Sequence, residues 1–97
     1  MKRTEIQSIG DVLRSVLDES NMSLRLAELK AGEIWQEMIG SELASKCMRP
    51  YVKNGVMSIR VTDAALRHEF HMQRSSMIRA INRRLNANII SDIRFIG

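Results

Sequence analysis

One cysteine, one proline and four aromatic residues are all that 97 positions hold of these types. A lone Cys47 excludes an internal disulfide and suits a reducing compartment. No apolar run approaches the roughly 20 residues that a membrane-spanning helix needs. Lys2 and Arg3 are followed by Glu5, Gln7, Ser8 and Asp11 rather than by an apolar signal core. The expectation is a cytoplasmic protein with no membrane contact, one domain over 1–97. No glycine-rich phosphate loop occurs, and no serine has the flanking glycines of a nucleophile elbow. Nothing marks a catalytic group or a cofactor, so we expect a non-enzyme with cofactors none.

Acidic residues are scarce in one half only. Residues 1–45 hold five Lys/Arg against eight Asp/Glu, a net −3, whereas residues 46–97 hold ten against three, a net +7. The basic half suits a polyanionic partner. The plainer alternative is an unevenly charged, solvated surface.

Ile9, Val12, Leu13, Val16 and Leu17 have the spacing of one helix face, with Ser8 and Asp11 suited to its start. Residues 18–23 are polar and read as a loop. Ser23 suits the cap of a second helix with Ala27, Ala31, Ile34, Trp35 and Met38 on one stripe, ended by Gly40. A short helical turn is expected over 41–46. Met48 to Lys53 reads as a strand, an edge strand because Pro50 has no N–H to donate. Asn54-Gly55 then predicts a tight hairpin, since both turn positions favour positive φ. In the return strand Met57, Ile59 and Val61 face one way; Ser58, Arg60 and Thr62 face the other.

Thr62-Asp63 caps the next helix, whose stripe is Leu66, Phe70, Met77, Ile81 and Leu85. Gln73 falls on that stripe, so either one helix or two broken near 73–76 fit. Asn86 to Asn88 ends it, and residues 89–96 form the last strand with Ile89, Ile93 and Phe95 on one face. The fold class is α+β in the order α-α-β-β-α(α)-β. A helical crossover between strands of one sheet makes a parallel unit. The hairpin's second strand is therefore central, and the three-stranded sheet is mixed, with helices on one face.

"RHEFH" places His68 and His71 three apart. The zinc-protease pattern needs four, so two exposed helix histidines are the plainer reading and metal: none is the expectation. Trp35 lies on the core stripe; its alternative role is a partly exposed anchor for a partner. Arg67, His71 and Arg74 share one flank of the third helix. Arg79 and Arg83, four apart, point away from the apolar stripe, and Arg60 projects from the wet face of the sheet. These six residues form the candidate nucleic-acid surface, contacting phosphates in a salt-dependent, largely sequence-independent way. Most of the four aromatics are expected in the core, so base reading by stacking is not expected.

The stretch "IWQEMIGSELASKCMRPYVKNGVMSIRVTDAALRHEF" resembles the DciA family. Trp35, Ile39 and Gly40 match its first motif. Asn54, Gly55, Val56, Met57, Ile59, Val61 and Asp63 match its hairpin, while Leu85-Asn86 and Ile93-Arg94-Phe95 match its end. The resemblance implies a K-homology-like fold and a role in bacterial chromosome replication. It also implies the replicative DNA helicase as partner, and affinity for DNA. RNA-binding K-homology domains carry Gly-x-x-Gly between their two helices; here that place reads "MQRS", so that clamp does not carry over. Fuller members bear a flexible extension, and a chain ending at Gly97 is expected to be a shorter relative. Two other readings stand beside this one. One is a protein-interaction domain, able to form a homodimer through an exposed sheet edge; the other is an RNA-binding module.

Overall fold

The computed structural model describes the backbone of residues 5–97 and the side chains from Met22 onward. Seven elements follow one another: α1 (Glu5–Ile39), α2 (Ser41–Ala44), β1 (Tyr51–Lys53), β2 (Val56–Arg60), α3 (Ala64–Met72), α4 (Arg74–Leu85) and β3 (Asp92–Ile96). The order and the α+β class are those expected, but α1 is one uninterrupted helix of 35 residues. The expected loop at residues 18–23 is helical. No glycine or proline stands between Gly10 and Gly32 to stop a helix there. The apolar face expected at Ile9 to Leu17, and the cap expected at Ser8, fall among side chains outside the described residues.

α1 ends where Gly40 takes φ 88°, a conformation that suits a residue without Cβ. The hairpin turns on Asn54 (φ 53°) and Gly55 (φ 81°), the positive-φ pair that a two-residue turn requires. That turn sets the register: Lys53 opposes Val56, Val52 opposes Met57 and Tyr51 opposes Ser58. β2 then pairs in parallel with β3, Met57 beside Ile93 and Ser58 beside Arg94. The sheet order is β1-β2-β3, and the proline-led strand is an edge as expected.

One face of the sheet carries Met57, Ile59, Val61 and Ile93, all fully buried under Ala31, Ile34, Trp35, Phe70, Met77 and Ile81 of the helices. Trp35, Phe70 and Phe95 form an aromatic cluster, with the Trp35 and Phe70 rings edge to face at 5.4 Å. The indole N–H of Trp35 donates to Met77 Sδ at 3.4 Å. Trp35 is therefore core. At 0% exposure it offers no surface to a partner, which corrects its alternative role as an anchor.

The Asp63 side chain accepts from the Leu66 N–H at 3.0 Å and starts α3. The question left open at 73–76 resolves as two helices joined at Gln73 (φ −100°, ψ 10°). α4 ends in a left-handed Asn86. β3 begins later than expected, at Asp92, because Asn82 claims the backbone before it. Its Oδ1 accepts from the N–H groups of Ile89 and Ile90, and its Nδ2 donates to the Ile90 carbonyl, all within 3.1 Å. Those groups are thus satisfied by a side chain rather than by a strand ladder. Ile90, not Ile89, is the buried member of this segment.

Candidate nucleic-acid interface

The six candidate residues fall in three places. Arg60 and Arg67 both lie near the C-terminal end of β2. Arg60 is exposed on the face of the sheet turned away from the helices. Arg67 comes from α3, and its Nη1 donates to the Val61 carbonyl at 2.6 Å. It lies over Gly97, where a Cβ would sit 3.2 Å from that nitrogen. Arg67 is therefore half-buried and fastens α3 to the end of the sheet; its charge still lies at the sheet's end.

α3 packs along β3, so its flank follows that edge strand. His71 is exposed there. Arg74, at the head of α4, reaches the other end of β3, with Nε 3.7 Å from Asp92 Oδ1 and both side chains partly exposed. This is a loose, solvent-screened pair, and such pairs contribute about 0–1 kcal/mol. Asp92 also accepts from the Ile93 N–H at 2.9 Å.

Arg79 and Arg83 lie one turn apart on the exposed side of α4. With Asn82, Asn86, Ala87 and Asn88 they line a shallow hollow of about 500 Å³. Arg79 makes only a long contact to Ser76 Oγ, 3.5 Å. Among the described residues neither has an ion-pair partner. Arg84, their neighbour, differs: its Nη2 lies 2.8 Å from Glu37 Oε1 and ties α4 to α1. Arg83 and Arg84 also fall in the last turn of α4, where cations complement the helix dipole; that structural role stands beside any phosphate contact.

Two features were missed in the sequence. Tyr51 is 63% exposed and stands on the same face as Arg60. The hairpin register, which follows from the two-residue turn, already sets Tyr51 opposite Ser58. The second feature is a groove of about 590 Å³ between α1 and β1, lined by Leu24, Arg25, Glu28, Leu29, Gly32, Arg49, Pro50, Val52 and neighbouring residues. Beside it Met22, Leu26 and Leu29 are 65–69% exposed. Their i, i+4, i+7 spacing makes a second apolar stripe, on the side of α1 opposite Ala31 and Trp35. The core periodicity drew attention to the buried stripe alone.

Among the described residues no cluster of three or more His, Cys, Asp or Glu could hold a metal ion, and no helix is long and apolar enough to cross a membrane. Cys47 is half-buried, its Sγ 3.4 Å from the Leu43 carbonyl, and burial raises its thiol pKa above the ordinary value. The family described as Dna[CI] antecedent, DciA, matches residues 8–95. No curated protein matches the chain.

Proposed function

The chain belongs to the DciA family, which is associated with helicase loading in DNA replication and interacts with the replicative helicase; from that premise we propose that this protein is a cytoplasmic, non-enzymatic replication module that contacts both the helicase and single-stranded or forked DNA. The observation that carries the DNA contact is the pair Arg79 and Arg83. They are exposed, one turn apart, and have no ion-pair partner among the described residues. Two guanidinium groups so placed can each take a phosphate, and Arg60, Arg67, His71 and Arg74 add positive potential around the sheet's rim. Arg67 and Arg74 contribute field more than contact, because one is bonded to Val61 and the other is beside Asp92.

The helicase contact draws support from the stripe of Met22, Leu26 and Leu29. Large apolar side chains left in water on one helix face mark a protein-binding surface. Two substitution pairs separate the functions. Arg79→Glu with Arg83→Glu is expected to weaken binding to a forked oligonucleotide and flatten its salt dependence, while helicase capture persists. Leu26→Glu with Leu29→Glu is expected to do the reverse. Unchanged DNA affinity in a salt-titrated mobility shift with the arginine pair reversed rules out the α4 contact.

A further inference from the structure

The face of the sheet opposite the helices carries side chains that the α4 contact does not use. The register aligns Tyr51, Ser58 and Arg94 in one row across all three strands, with neighbouring strands about 4.8 Å apart. Lys53 and Arg60 lie two residues along from Tyr51 and Ser58, so they share that face. Tyr51, Lys53, Arg60 and Arg94 are all exposed. Among the described residues none of the three cations has an ion-pair partner. The one carboxylate of the strands, Asp92, is engaged by Arg74 and by the Ile93 N–H. Tyr51 takes no part in the aromatic cluster of the core.

A sheet face with one exposed ring and three like charges, and with Ile96 beside Arg60 as its one exposed aliphatic side chain, is a poor protein-binding core, from which charge is depleted. It matches a polyanion that also offers free base faces. Bases in a duplex are already stacked on one another, whereas an unpaired base can lie on a tyrosine ring while nearby cations follow the backbone. We propose that this open sheet face binds single-stranded DNA, one base on Tyr51 and adjoining phosphates on Arg60 and Arg94. The inference rests on the DNA-binding reading above and assigns a second surface, on the other side of the sheet from α4.

The test measures fluorescence anisotropy of the full chain with an oligothymidylate of about 20 nucleotides, longer than one fold's usual site, and with a duplex. Tyr51→Ala is expected to weaken single-strand binding about 5- to 150-fold, by loss of one stacked base, and to leave duplex binding unchanged. Tyr51→Phe and Tyr51→Trp keep a ring and are expected to retain affinity within about twofold. Arg60→Ala with Arg94→Ala is expected to lower the slope of log affinity against log salt by about 1.4, at roughly 0.7 per phosphate contact. It tests the face independently of Tyr51. If Tyr51→Ala and the Arg60/Arg94 pair bind the single strand like the parent while Arg79→Glu with Arg83→Glu abolishes binding, the sheet face is overturned and the α4 contact stands. If the parent protein binds neither oligonucleotide, both are overturned.

Discussion

The indole N–H of Trp35 donates to the thioether of Met77, joining residues 42 positions apart in a site with no other acceptor for that N–H among the bonds described. The bond links α1 to α4 in the centre of the core. Met77→Leu keeps the volume but removes the acceptor. A volume-conserving swap costs under about 1.5 kcal/mol, and an orphaned buried donor adds roughly 1–3 kcal/mol. Chemical denaturation should therefore place Met77→Leu well below a conservative swap elsewhere in the core, such as Ile93→Val at about 0.5–1.5 kcal/mol. Trp35→Ala, at about 3–5 kcal/mol, removes much of a small domain's stability.

Asn82 holds the approach to β3 by three hydrogen bonds. Asn82→Ala removes three hydrogen bonds and leaves the Ile90 N–H and carbonyl without these partners, while the Ile89 N–H keeps the Ala87 carbonyl at 3.0 Å, and should cost roughly 2–3 kcal/mol, at about 1 per bond. Asn82→Asp keeps the acceptor and loses the donor, so its loss should be smaller at neutral pH. Urea midpoints of the two variants, compared at equal slope, decide the matter.

Gly55 and Gly40 both have positive φ, but their surroundings differ. A Cβ at Gly55 would meet Ser91 Oγ at 3.1 Å and the Ile89 carbonyl at 3.2 Å, whereas at Gly40 it meets nothing within 4 Å. Gly40→Ala should cost roughly 1–3 kcal/mol from backbone strain alone, since φ 88° with ψ 157° is a region kept essentially to glycine. Gly55→Ala should cost more, since the Gly55 carbonyl also accepts from the Ser91 N–H at 2.8 Å. Equal melting shifts for the two would show that the turn absorbs the added methyl freely.

Arg83 and Arg84 are adjacent yet should behave differently. Arg84 is paired with Glu37 across the α4–α1 seam, an exposed pair that a double-mutant cycle should find worth about 0.2–1 kcal/mol, less at high salt. Arg84→Ala should leave DNA affinity closer to the parent value than Arg83→Ala does, as read by anisotropy at fixed salt.

Burial raises the Cys47 thiol, so less thiolate is present at any given pH than in an ordinary exposed cysteine. Alkylation of the folded protein should be slow near neutral pH and climb only as the pH rises beyond the usual thiol range. Denaturant should restore the ordinary rate. A folded-state rate matching that of a free thiol at pH 7 contradicts this.

The hairpin, the Asp63 cap and the central position of β2 were legible because each is set by local chemistry: a turn that needs positive φ, an acceptor at a helix start, a proline that cannot donate. The continuity of α1 is hidden by the polar run at 18–23, which has the composition of a loop. A helix in water needs no apolar residue at every turn, and the missing glycine and proline were the better guide. The onset of β3 depends on Asn82, whose bonds reach Ile89 and Ile90 seven and eight residues on, contacts that no strand propensity encodes. The helix arginines were found as charges, but not which of them are tethered. Arg67 and Arg84 look like Arg79 and Arg83 in the sequence, and only the placement of Val61 and Glu37 tells them apart. The exposure of Tyr51 follows from the hairpin register, although most of the four aromatics are core residues.

A helix of 35 residues is about 52 Å long, and the molecule extends 62 Å in one direction but only 22 and 20 Å in the others. Its radius of gyration, 17.8 Å, exceeds the roughly 12.5 Å of a compact chain of this length. A particle so drawn out tumbles slowly end over end and drags in a gel-filtration column. A single copy will elute earlier than its mass predicts, and only light scattering or sedimentation equilibrium will count its protomers correctly.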